Sequence, residues 1–163
     1  MKKELRYYEA DDQKVAHFIL FRNFLIDLYG AENLVYLDES GFNGKENFRY
    51  NCWSPTGVKI FEKITGKRLK RASILVALKD GALIASYIFE GTCNTEKFND
   101  YLENKLLPAL PKKQVIIMDN ARIHKSQKTR ELIEQAGHIL LFLPPYSPEL
   151  NPIEKRFGSL KKA

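Results

Sequence analysis

Leu34-Val35-Tyr36-Leu37-Asp38-Glu39-Ser40-Gly41 and Val115-Ile116-Ile117-Met118-Asp119-Asn120 decide how this chain folds. Each is a short apolar run that stops in an aspartate and then in turn residues, the pattern of a buried strand with an acid at its carboxyl end. Between them, Ser73-Ile74-Leu75-Val76-Ala77-Leu78 and Leu83-Ile84-Ala85-Ser86-Tyr87-Ile88-Phe89 are split by Lys79-Asp80-Gly81 and predict a β-hairpin. Thr95 then reads as the N-cap of a helix with Phe98, Leu102, Leu106 and Leu107 on one face, stopped by Pro108 and Pro111. Past Asp119, a helix over 126–136 closes at Gly137, and Ile139-Leu140-Leu141-Phe142-Leu143 forms a further strand. Pro144-Pro145-Tyr146-Ser147-Pro148 breaks that strand. Asn151 caps a last helix with Pro152 at its first position, running through Ile153, Phe157 and Leu160. Ahead of everything, residues 11–29 place Val15, Phe18, Ile19, Leu25, Leu28 and Tyr29 at helical spacing, with Asp11 and Asp12 as caps and Gly30 as the stop.

Three consecutive strands that pair as a meander, followed by two strands each reached through a helix, predict an α/β fold. Its mixed five-stranded sheet joins a three-strand antiparallel meander to two parallel strands, with helices on both faces. Right-handed crossovers place 115–119 beside 34–38, so Asp38 and Asp119 become neighbours. At 163 residues the chain is the size of one domain. We divide it into a leading helix and linker over 1–30 and a main unit over 31–163.

The composition excludes several classes. An apolar share of 44% without low-complexity tracts rules out disorder and fibrous repeats. With no membrane-length apolar run and no signal-like h-region, the expected protein has no membrane partner and is soluble and cytoplasmic. Cys52 and Cys93 lack metal-ligand spacing and read as reduced, half-buried spectators. The net charge of +6 favours a polyanionic partner, although solubility explains such a charge equally well.

Carboxylates at adjacent strand ends are what hard divalent cations take as ligands. Glu154, on the first turn of the final helix after the proline-rich break, can lean over the same strand ends. Three acids can then hold two magnesium ions for phosphodiester chemistry, one ion activating the attacking oxygen and the other stabilising the leaving one. Singly, each acid has an ordinary explanation: an Asp after a strand caps turns, and a Glu in a first helical turn is favoured by the dipole. The combination carries the reading.

Three segments, Leu37-Asp38-Glu39-Ser40-Gly41-Phe42, Ile117-Met118-Asp119-Asn120-Ala121-Arg122-Ile123-His124 and Pro144-Pro145-Tyr146-Ser147-Pro148-Glu149-Leu150-Asn151-Pro152-Ile153-Glu154, resemble the DDE endonuclease domain of mariner-like and related bacterial insertion-sequence transposases. The last segment is the most specific, and the 34 residues between Asp119 and Glu154 suit the resemblance. It covers about residues 31–160 and implies an RNase H-like fold, with Asp38, Asp119 and Glu154 as the metal-binding catalytic acids. It also implies Mg2+ or Mn2+ as cofactor, two ions in all. The activity implied is cleavage of DNA at transposon ends and strand transfer to target DNA, by a homodimer holding two ends. Glu39 is turned away by the period-two alternation of a strand. For Asn120 and His124, a turn amide and a capping or hydrogen-bonded imidazole suit the positions better than direct chemistry.

Basic residues cluster at Lys59, Lys63, Lys67, Arg68, Lys70 and Arg71, and again at Lys155, Arg156, Lys161 and Lys162. Solvated faces account for most charge runs; in a DNA enzyme Lys67, Arg68, Lys70, Arg71, Lys155 and Arg156 would neutralise phosphates. Trp53 and Tyr146 suit core packing or a base stack. Proteins of this resemblance carry helix-turn-helix modules ahead of the catalytic domain, whereas only about thirty residues precede the first strand here; a separate helix-turn-helix polypeptide as partner, or a sequence cut short at its front, accounts for that equally. Two other readings stay open: an RNase H-like nuclease of different specificity, and a split or decayed transposase fragment without turnover.

Overall fold

The computed structural model describes residues 7–42, 56–57, 71–111 and 113–160. Helix α1 (Asp12–Tyr29) precedes β1 (Leu34–Phe42), β2 (Ala72–Lys79) and β3 (Ala82–Glu90). Then come α2 (Thr95–Tyr101), a π-helical stretch (Leu102–Leu106), α3 (Leu107–Ala109), β4 (Val115–Met118), α4 (Gln127–Gln135), β5 (Ile139–Phe142) and α5 (Ile153–Leu160). The five strands form one sheet in the order β3-β2-β1-β4-β5. β1 is central, antiparallel to β2 and parallel to β4, and β4 is parallel to β5. The meander and the parallel half predicted from the sequence are both present.

Alternation along the strands sorts their side chains onto two faces. Val35, Leu37, Leu75, Ala77, Ile116 and Met118 face Phe98, Tyr101, Leu102 and Leu106, with Ile133 of α4 joining the same cluster. Leu34, Val115 and Ile117 face Phe18 and Leu25 of α1 on the other side, where Val76 and Leu78 also meet Ile153 and Phe157 of α5. Burying a large apolar side chain stabilises by about 1.5–3 kcal/mol, so the two covered faces hold the sheet between its helices. By the same alternation Asp38 falls on the α1/α5 face, two residues on from Tyr36, and Asp119 follows Ile117 onto it.

Several local details differ from the sequence reading. Asn94, not Thr95, caps α2, its side chain accepting from the Lys97 amide at 2.9 Å; an amide oxygen serves an N-cap at least as well as a hydroxyl. The helix also continues one residue past Pro108. The π-helical stretch directly ahead of it widens the turn and accommodates the proline, with the backbone staying helical through Leu106 and Leu107. In α1, Asp11 caps as expected, accepting from Gln13 and Lys14 amides. Leu28, however, is 57% exposed, because the buried stripe drifts through Ile26 and Tyr29 and leaves it on the outer margin. Cys93 is half-buried with a free thiol, while Cys52, Trp53 and Lys59 to Lys70 lie outside the described residues.

Candidate functional site

The parallel register of β1 and β4 runs from Leu34 beside Val115 to Leu37 beside Met118. One step further places Asp38 beside Asp119, on the same face and at the carboxyl end of both strands. The third acid arrives on α5. Val76, the antiparallel partner of Asp38, is in the cluster that seats Ile153, and Glu154 is the next residue. All three carboxylates line one open cleft of about 730 Å³, whose far wall is the loop from Leu143 to Pro148.

The acids sit in unequal surroundings. Asp38 is buried and accepts from the Glu39 amide at 2.7 Å through Oδ1 and from Asn151 Nδ2 at 3.0 Å through Oδ2. Burial, then the nearby Glu154 and Asp119 charges, push its carboxyl up to about 7. Asp119 is half-exposed. Burial also presses its carboxyl upward, but hydrogen bonding and charge from His124, with the Ala121 amide, outweigh that and hold it below the usual range. Glu154 stands exposed at the rim. Glu39 faces away, as alternation requires, toward Cys93, whose thiol is raised by burial first and by the Glu39 charge second.

His124 proves more tightly tied to the site than its sequence position suggests. Its Nδ1 lies 2.5 Å from Asp119 Oδ1, and its ring is buried against Phe98 with centroids 4.2 Å apart. Behind it, Asn99, Ser126 and Thr129 hydrogen-bond one another and fasten the start of α4 to α2.

The proline-rich segment shapes the mouth. Tyr146 adopts a left-handed φ of 57°, uncommon for a bulky residue, and is 58% exposed, with its ring near that of Tyr7. The cations expected from the sequence are divided. Lys67, Arg68 and Lys70, like Lys161 and Lys162, lie outside the described residues. The Arg71 guanidinium lies over Gly41 near the end of β1. Lys155 and Arg156 line a different cleft, where Arg156 Nη2 donates to the Gly81 carbonyl at 3.2 Å. Arg122 and Lys125, not singled out from the sequence, are exposed and line the carboxylate cleft. The signal was present in the run Asp119 to Lys125, but a loop has no periodicity from which to read direction.

Among the described residues, no three His, Cys, Asp or Glu side chains are gathered tightly enough to close around one ion. The donor set nevertheless suits a divalent cation: the oxygens are hard ligands, and burial together with the Glu154 and Asp119 charges raises Asp38, a penalty on its ionised form that bound positive charge would relieve.

The family described as DDE superfamily endonuclease matches residues 33–163. The chain belongs to that family. No curated protein matches the sequence significantly. Among solved structures, this DDE-family chain is similar to the mariner Mos1 paired-end complex with Mg, at 18% identity and a TM-score of 0.76, covering 99% of this chain and 52% of that one. It is also similar to the Mos1 strand transfer complex, at 20% identity and 0.74, covering 99% and 52%. The catalytic domain of Mos1 mariner transposase gives 15% identity and 0.62, covering 98% and 74%. These likenesses show the fold, which is RNase H-like, and the chain spans about half the length of the Mos1 chains in the two complexes. No helix among the described residues is long and apolar enough to cross a membrane.

Proposed function

We propose that this chain is the catalytic domain of a DNA transposase, which cuts DNA at transposon ends and joins the freed strand to target DNA in the cytoplasm. Residues 31–163 form the catalytic unit, with 1–30 as its leading segment. The observation that carries the reading is the convergence of Asp38, Asp119 and Glu154 on one open cleft from β1, β4 and α5. Membership of an endonuclease family and the likeness to Mos1 complexes support it.

In this reading the three carboxylates hold two magnesium or manganese ions, which when bound supply charge neutralisation and an activated attacking oxygen. Asp38, gripped through both oxygens, and Asp119, fixed by His124, present ligands that need no reorganisation at the moment of reaction. First, a water oxygen bonds to phosphorus while the bond to the 3′ oxygen breaks; the water gives up one proton to solvent, and the departing 3′ oxygen takes one from solvent to leave as a 3′ hydroxyl. That hydroxyl oxygen then attacks a target phosphorus in line, releasing a second 3′ hydroxyl. No side chain becomes covalently attached. Arg122 and Lys125 face the reacting phosphates, while Arg71, Lys155 and Arg156 take phosphates further along the duplex; Lys67, Arg68 and Lys70 add to the positive charge available to DNA. Tyr146 stands at the mouth, where it can touch the DNA. Two copies hold two ends, and a helix-turn-helix unit, on this protein or on a partner, supplies end recognition.

Cleavage of end-labelled duplex DNA and of an RNA–DNA hybrid, each with Mg2+ or Mn2+, tests the assignment. Metal-dependent cuts in duplex DNA leaving 3′ hydroxyls are expected. Cleavage confined to the RNA strand of the hybrid would instead make the chain a ribonuclease on the same scaffold.

A further inference from the structure

Asn151 is 3% exposed and reaches across 113 residues of sequence to β1. Its Nδ2 donates to Asp38 Oδ2 at 3.0 Å, and its Oδ1 accepts from the Ile153 amide at 3.3 Å. Its backbone carbonyl accepts from the Glu154 amide, also at 3.3 Å. The orientation of the side-chain amide follows from the Ile153 backbone N–H, which can only donate and so fixes Oδ1 as the acceptor and turns Nδ2 toward Asp38.

We propose that Asn151 is a positioning residue that couples Asp38 to the N-terminus of α5, so that Asp38 and Glu154 meet a divalent cation in one fixed geometry. The residue type is demanding. Serine can cap the helix but lacks the second arm to reach the carboxylate; aspartate can cap but has no donor and adds charge beside Asp38. Only a neutral side chain that donates at one end and accepts at the other performs both tasks. Ile153, fully buried in the cluster that contains Val76, fixes α5 against the neighbouring strand. Strut and wedge together leave the helix little freedom to tilt Glu154 away. The inference rests on the metal-binding reading above and deepens it.

The test is Mn2+ binding by titration calorimetry on the whole chain, comparing wild type with Asn151→Ser, Asn151→Ala, Asp119→Asn and Asn94→Ala, with folding followed by circular dichroism. Asn94 caps α2 and does not line the carboxylate cleft, so it controls for loss of a cap alone. We expect Asn151→Ser to fold and to bind Mn2+ about 10- to 100-fold more weakly, Asn151→Ala to bind at least as weakly, and Asn94→Ala to bind as wild type does. A folded Asn151→Ser chain with wild-type Mn2+ affinity overturns the positioning role, as does failure of both Asn151 variants to fold, which assigns the residue to stability alone. If wild type binds no Mn2+, or Asp119→Asn binds it equally well, the metal reading itself fails and this inference falls with it.

Discussion

Asp38→Asn should make the metal-free protein more stable at neutral pH, and the gain should disappear in acid. The ordinary carboxyl value of 3.8 rises to about 7 in the folded chain, so between those limits the native state holds a proton that the unfolded state has released. Stability from this group is therefore complete below about pH 4, falls as pH rises, and levels off above about pH 7. At about 1.4 kcal/mol per pH unit the accumulated penalty is on the order of 4 kcal/mol. Asparagine carries no such penalty but has only one acceptor. It keeps either the Glu39 or the Asn151 bond and gives up about 1 kcal/mol with the other. The net expectation is a stabilisation on the order of 3 kcal/mol at pH 8, shrinking to nothing or slightly reversing at pH 4. Urea unfolding in EDTA at several pH values measures it, and saturating Mn2+ should erase the advantage by stabilising only the wild type. A difference that does not change with pH, or a variant less stable than wild type at pH 8, would refute the claim that burial, with the neighbouring negative charges, strains the ionised Asp38.

His124→Ala removes a buried ring packed on Phe98 and the partner of Asp119. It should cost about 2–4 kcal/mol in urea unfolding, and Asp119 should then titrate higher, as carboxyl-carbon NMR can record. Replacing Arg122 and Lys125 together by alanine should weaken duplex binding and reduce the slope of log K against log salt by roughly 2, measured by fluorescence anisotropy; an unchanged slope would place DNA elsewhere.

How far the site could be read from the sequence depended on periodicity. Two apolar runs ending in aspartate, one opening the meander and one after the crossover helix, sufficed to set Asp38 beside Asp119 on a common face, because register and alternation propagate along strands. The start of α5 was likewise legible from Asn151 and Pro152. Three things were not. The Asn151 to Asp38 bond joins residues 113 apart, and no local rule reports such a contact. Lys155 and Arg156 adjoin Glu154 in sequence, yet the 100° turn per helical residue carries them round to another cleft. His124 read as an ordinary hydrogen-bonded imidazole, which it is; that its partner is Asp119 itself emerged only once the short 3-10 turn Arg122–His124 folded the ring back beneath the strand end.

The central claim, a carboxylate site that cuts DNA with divalent metal, is tested most directly by nicking of supercoiled plasmid with Mn2+ or Mg2+, comparing the purified chain with Asp119→Asn. The account predicts nicks that require metal, vanish in EDTA and are absent from the folded variant. Equal nicking by the two proteins, or nicking indifferent to EDTA, would contradict it.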